Sequence, residues 1–141
     1  DIGCGKGYLL YEIKKILPSI KFFGIDISRY AKKNAHKEVE KNIKIVNASN
    51  KYPFKKKHFD LVISINTLHN FEINDLKKSL SEISRVGKKS YIVVESFRNN
   101  IELFNLQCWA LTCKSFFSKD EWKWIFKEFK YLGDFEFIYF K

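Results

Sequence analysis

Asp1-Ile2-Gly3-Cys4-Gly5-Lys6-Gly7 is the stretch on which the reading of the fold turns. Three glycines at alternate positions, with a carboxylate two residues ahead of the first, predict a tight turn between a strand and a helix. Side chains on the glycines would block either the turn or a ligand's approach to the backbone. Such a turn leaves backbone N–H groups at a helix N-terminus facing a polar ligand. Gly3, Cys4, Gly5 and Gly7 are therefore candidate binding residues for a nucleotide-type cofactor. The motif starts on the first residue and the chain holds no methionine. We therefore expect an N-terminal truncation, with most of the first strand missing.

Downstream, apolar periodicity predicts a regular alternation. Leu9, Leu10, Ile13, Ile16 and Leu17 fall on one helical face, and Pro18 ends that helix. Phe22 to Ile25 reads as a short strand closing on Asp26. Ser28 is the expected N-cap of a lysine-rich helix to about Glu40. Ile43 to Val46 is a third strand candidate, and 47–57 a polar loop. Phe59 to Ile65 is apolar enough for burial on both faces. Leu76, Leu80, Ile83 and Val86 mark a helix, with Gly87 as its C-terminal cap. Ser90 to Val94 is another buried strand, reaching Glu95. Ile101 to Cys113 is expected to be helical. Ser118-Lys119-Asp120-Glu121 is a capping box ahead of Trp122, Ile125, Phe126 and Phe129. Phe135 to Phe140 is a terminal strand. Strands alternating with helices predict an α/β fold with a mostly parallel sheet.

The 141 residues are 45% hydrophobic and 17% aromatic, which excludes a disordered chain. No linker or repeat is visible, so one domain is expected over 1–141. No apolar run approaches membrane-spanning length, and no membrane partner is expected. The net charge is +10 and the pI about 9.5. A nucleic-acid partner is one reading of that balance. A solvated lysine surface is favoured over it, because Arg29, Arg85 and Arg98 are the only arginines. Cys4, Cys108 and Cys113 have no zinc-type spacing, so no metal is expected, and reduced thiols point to the cytoplasm.

In an open parallel sheet, ligands sit outside the carboxyl ends of the strands. The expected strands end at Asp1, Asp26, Asn47 and Asn66, all able to meet a ligand. A carboxylate roughly twenty residues after a glycine turn can accept both hydroxyls of a ribose, and Asp26 is so placed. That feature fits nicotinamide and other adenosine cofactors alike. The spacing Gly3-Cys4-Gly5-Lys6-Gly7 is one residue shorter than the dinucleotide fingerprint. An Asp just before the turn is unwelcome beside a pyrophosphate and suits a cofactor bringing positive charge.

Four blocks in order resemble the class I S-adenosylmethionine-dependent methyltransferases, over roughly residues 1–96. They are the glycine loop 1–7, Phe23-Gly24-Ile25-Asp26-Ile27-Ser28, Asn47-Ala48-Ser49 with Tyr52-Pro53-Phe54, and Phe59 through Asn66 to Leu68-His69. The resemblance implies a Rossmann-like, doubly wound fold with helices on both faces. Strand order would be close to 3-2-1-4-5, with an antiparallel C-terminal edge strand. It implies S-adenosyl-L-methionine as cofactor. Asp1 and the backbone of Gly3 and Gly5 would hold the methionine end, Asp26 the ribose, Ile27 and Ala48 the adenine. Asn47 departs from the Asp common in the family, though its amide oxygen can still accept from the adenine amino group.

Methyl transfer from a sulfonium depends mostly on positioning; a base is needed only for an acceptor that keeps its proton. The exit Asn66-Thr67-Leu68-His69 lacks the Pro-Pro-aromatic run of amino-methylating enzymes, and no Cys follows a Pro. Both absences favour a small-molecule acceptor, with an RNA methyltransferase and a non-catalytic binding domain as alternatives. His69 is the candidate catalytic base, or an orienting residue. Glu95 and Trp109 are candidate substrate-binding residues. Segment 97–117 is the expected substrate cover, followed by a C-terminal helix and strand over 118–141.

Overall fold

Short apolar runs bounded by turn residues become five strands in the computed structural model, which describes residues 1–141, and every strand pairing is parallel. The chain packs as two compact units, Asp1–Tyr52 and Pro53–Lys141.

The first unit holds α1 (Tyr8–Ile16), β1 (Gly24–Asp26), α2 (Arg29–Lys33) and β2 (Ile43–Ile45). β1 and β2 pair in register Gly24↔Ile43 to Asp26↔Ile45. Ile2 forms a single parallel bridge to Ile25. Cys4, Leu10, Val39 and Ile43 are the buried core, with Tyr11, Phe22 and Ala35 against it. Of the apolar face expected on α1, Leu10 is buried, whereas Ile16 and Leu17 are 77% and 53% exposed. Ser28 caps α2 as expected, its side chain accepting from the Ala31 N–H at 3.0 Å. That helix stops at Lys33 instead of reaching Glu40. Only Ala31 on it is buried, so little packing holds further turns in place. The chain turns at His36 to carry Val39 into the core, fully buried, ahead of a 3-10 turn at Glu40–Asn42.

The second unit holds β3 (Phe59–Ile65), α3 (Ile73–Val86), β4 (Gly87–Ser96), α4 (Asn100–Trp109), α5 (Lys119–Glu128) and β5 (Asp134–Tyr139). Its sheet has the order β3-β4-β5. The C-terminal strand is parallel to β4, pairing Tyr91↔Asp134 to Ser96↔Tyr139, and not antiparallel as expected. The reason lies in the connection. Antiparallel neighbours can be joined by a tight turn, whereas parallel ones need a crossover of a dozen or more residues. The stretch between β4 and β5 contains two helices, enough to return the chain to the starting end of the sheet.

Burial on both faces belongs to β4, where Ile92 and Val94 are fully buried. β3 is an edge strand of this sheet, with Leu61 56% exposed. Gly87 is the C-cap of α3 as expected, its N–H donating to the Ile83 carbonyl, with φ at −95°. A Cβ there would lie 2.8 Å from both the Lys89 carbonyl oxygen and Val62 Cγ2, so the glycine permits a tight passage from α3 into β4. The helix expected to Cys113 ends at Trp109. The capping box forms, with Glu121 accepting from the Ser118 N–H and the Ser118 hydroxyl from the Glu121 N–H. α5 then buries Trp122, Ile125 and Phe126, and the Phe126 and Phe135 rings meet at 4.7 Å.

Candidate functional site

The glycine loop is built by conformations that L side chains avoid. Gly3, Gly5 and Gly7 take φ of 75°, 52° and 76°, in the region that costs a side-chain-bearing residue about 1–2 kcal/mol. The three have different surroundings. A Cβ on Gly7 would stand 2.6 Å from Val39 Cγ2 and 2.9 Å from Ile43 Cδ1, so Gly7 seats α1 on the core. A Cβ on Gly5 would meet nothing within 4 Å. Gly5 thus leaves open backbone at the turn, the cradle that close approach of a ligand requires.

Asp26 ends β1 and is tied to that loop. Its Oδ2 accepts the Gly5 N–H and its Oδ1 the Ser28 N–H, each at 2.8 Å. The carboxylate therefore sets the loop's shape as well as standing at the strand end. No sequence signal announced this bond, since the partners lie 21 residues apart. Ile27 beside it is 66% exposed, an apolar surface at the strand's end. The Gly3 and Cys4 N–H groups donate to the Ile25 carbonyl, at 2.8 and 3.1 Å, and the Ile25 N–H to the Asp1 carbonyl at 2.9 Å. Cys4 is buried against Gly24, where a Cβ would lie 2.5 Å from its Sγ. Burial, with the Asp26 charge second, pushes the Cys4 thiol up to about 11. It is a packing thiol at neutral pH, not a nucleophile.

Asn47 is engaged locally. Its Oδ1 accepts the Ser49 N–H at 2.9 Å and the Ser49 hydroxyl at 3.0 Å, an Asx-type turn. Ala48 is buried, and its carbonyl takes the hydroxyl of buried Tyr52 at 3.0 Å. Tyr52 anchors this loop, a role the sequence did not disclose.

Asn66, His69, Glu95 and Trp109 belong to the second unit. Asn66 leaves β3 with φ 53°, a left-handed conformation that Asn tolerates. Its N–H donates to the Val93 carbonyl at 3.1 Å. Ile65 pairs with Val93, so β3 ends at that level while β4 runs on to Ser96. Glu95 lies two residues beyond that pairing, and His69 in the 3-10 turn Leu68–Asn70. The register thereby joins two side chains that the sequence offered separately. His69 is 4% exposed and Glu95 fully buried. His69 Nδ1 and Glu95 Oε2 are in direct contact. Nδ1 and both carboxylate oxygens are buried and have no hydrogen-bond partner.

The pair is held from behind. Lys114 and Ser115 N–H groups donate to the His69 carbonyl, at 2.9 and 3.0 Å. Trp122 Nε1 donates to the Glu95 carbonyl at 3.0 Å. The half-exposed Trp109 ring lies 6.4 Å from the His69 ring and packs on Phe140 at 4.6 Å. Nearby, the Cys113 thiol is pushed up, chiefly by burial and further by the Glu95 charge. Arg98 binds Glu102 on α4 and lies 4.2 Å from the Tyr139 ring centre. No group of His, Cys, Asp and Glu is arranged to hold a metal ion. No helix is long and apolar enough to cross a membrane.

Against known proteins, residues 1–130 match the family model described as "Methyltransferase domain". The chain is 32% identical over 108 residues to the human protein named "Arginine-hydroxylase NDUFAF5, mitochondrial", a match covering 77% of this chain and 30% of that protein. The chain spans about a third of the length of the curated relatives it matches. Among solved structures it is similar to a S-adenosylmethionine-dependent methyltransferase from Archaeoglobus fulgidus. That likeness has 28% identity, a TM-score of 0.70, and covers 92% of this chain and 58% of the other. It also resembles a chain of the complex between the Haloferax volcanii Trm112 methyltransferase activator and a methyltransferase. There the TM-score is 0.73 and the identity 22%, over 92% of this chain and 58% of that one, a likeness of fold alone. The chain belongs to the methyltransferase domain family, with the Rossmann-like α/β fold of S-adenosylmethionine-dependent methyltransferases.

Proposed function

We propose that this protein transfers a methyl group from S-adenosylmethionine to a small-molecule acceptor. The observation that carries the cofactor half of this reading is the glycine loop. Gly5 presents open backbone at positive φ, and Asp26 fixes the turn through the Gly5 N–H. Gly3, Gly5 and Asp1 would hold the methionine end, with Asp26, Ile27 and Ala48 on the nucleoside side. When bound, S-adenosylmethionine supplies a methyl group activated on a sulfonium. The chain's own residues bind and orient: internal bonds from the Gly3, Cys4 and Gly5 N–H groups shape the loop before any ligand arrives, which lowers the cost of ordering it on binding. The Archaeoglobus likeness supports this cofactor.

The test is calorimetric titration with S-adenosylhomocysteine and, in parallel, NAD, beside a Gly5→Ala variant. Binding of the first alone, weakened in the variant, is expected. Binding of NAD without S-adenosylhomocysteine would overturn the reading.

Hydroxylation of an arginine is a second reading, favoured by the name of the curated relatives. The two are separated by mass spectrometry of the product, which gains a methylene's mass in one case and an oxygen's in the other.

A further inference from the structure

We propose that the second unit has a further binding site, for a phosphate-bearing polyanion, at the end of its sheet remote from Asn66 and His69. The site stands apart from the methyl-transfer reading and does not depend on it. Parallel pairing sets Phe59 of β3 beside Gly87 of β4, and Tyr91 of β4 beside Asp134 of β5. The amino ends of the three strands therefore share one edge of the sheet. Asn66 and His69 follow β3 at the other. At the amino end lies a cavity of about 410 Å³, within the roughly 300–1,000 Å³ typical of small-ligand sites.

The charge around this cavity is nearly all of one sign. Lys57, Lys88, Lys89 and Lys130 line it, against Asp134 as the single carboxylate. Lys57 Nζ donates to the Ser84 and Gly87 carbonyls at 3.1 and 2.8 Å, which fixes a cation at the end of α3. Lys88 pairs with the exposed Asp60 at 2.7 Å. No hydrogen bond or ion pair engages the ammonium groups of Lys89 and Lys130. Lys130 stands at φ 56°, a conformation that favours glycine, yet an ammonium group occupies the position. Like charges gathered around one concavity repel, and a bound anion relieves that repulsion. The wall behind them is closely built. A Cβ on Gly133 would collide with the Ser90 hydroxyl and the Tyr131 phenol, so glycine lets the turn into β5 lie against β4. The Tyr131 hydroxyl holds that turn by donating to the Asp134 carbonyl at 3.1 Å.

The kind of cation selects the kind of anion. A carboxylate is planar and is met best by the flat fork of an arginine. No arginine lines the cavity. Arg85 of α3 is taken up by Glu82 and by the Phe54 carbonyl at 2.8 Å. Ammonium groups are point donors that converge on tetrahedral phosphate oxygens from several sides. The lining also lacks aromatic rings on which bases could stack, so the site reads phosphate and not base. A free oligophosphate and the backbone of a nucleic-acid strand share that chemistry.

The test is calorimetric titration of the protein with inorganic tripolyphosphate at low ionic strength, where screening is weakest. Two double variants are compared. Lys89→Gln with Lys130→Gln removes the unpaired cations of the cavity. Lys119→Gln with Lys123→Gln removes the same charge from exposed positions on α5 outside it. A single tripolyphosphate should bind, at least tenfold more weakly in the cavity variant and unchanged in the α5 variant. Citrate, a carboxylate polyanion, should bind at least tenfold more weakly than tripolyphosphate. No binding of tripolyphosphate, an equal loss in both variants, or citrate bound as tightly would overturn the proposal. A short oligouridylate that tripolyphosphate displaces supports the site with a nucleic-acid backbone as its source; tripolyphosphate bound where oligouridylate is not supports it with a free oligophosphate. S-adenosylhomocysteine should bind all three proteins alike, so failure of this site and failure of the methyltransferase reading are told apart.

Discussion

Asp26→Ala should destabilise the protein with no cofactor present. The carboxylate accepts two backbone N–H groups at 2.8 Å, from Gly5 and from Ser28. Hydrogen bonds to a charged group contribute about 1.5–3 kcal/mol each when well buried. Asp26 is half-buried, so the lower end applies, and water can reach part of what is freed. The expected loss is about 2–3 kcal/mol for Asp26→Ala. Asp26→Asn keeps one acceptor oxygen and should lose about 1 kcal/mol. Urea unfolding of the ligand-free protein, read at constant slope, measures both. The same variants titrated with S-adenosylhomocysteine should bind it more weakly, because the loop is no longer pre-shaped. If Asp26→Ala leaves ligand-free stability within about 0.5 kcal/mol while binding is lost, the reasoning fails. Asp26 would then serve the ligand alone and not the loop.

Two further expectations concern the same region. Gly7→Ala places a Cβ 2.6 Å from Val39 Cγ2 at a φ of 76°, and strain plus overpacking should cost about 2–4 kcal/mol. Gly5→Ala meets open space, and should cost only the conformational part, about 1–2 kcal/mol, while weakening S-adenosylhomocysteine more than Gly7→Ala does per kcal/mol lost; denaturation and calorimetry on the pair check this. The Cys4 thiol, raised from 9.0 to about 11, should give an alkaline slope. Its proton is held more tightly in the folded state, so stability is unaffected below 9.0 and declines as pH rises through about 11. Urea midpoints across that window should fall less steeply in Cys4→Ala than in the wild type.

What the sequence determined by itself was local or periodic. The glycine triplet set the loop, since few other residues tolerate its three positive φ angles. Ser28 and Ser118 announced their helix starts through side chains able to cap. The near-continuous apolar run 59–65 and its following Asn marked β3 and its exit. The tertiary structure decided what depends on partners distant in the chain. α2 ended at Lys33, where only Ala31 packs inward, and Val39 entered the core from the chain beyond it. The last strand ran parallel because its connection crosses the sheet, a property of path that no periodicity records. Asp26 found Gly5, and Cys4 found Gly24, across a strand–helix–strand separation. His69 and Glu95 were each visible as polar residues at strand ends. Only the parallel register of β3 and β4 brought them into contact, and only burial gave the contact its energetic weight.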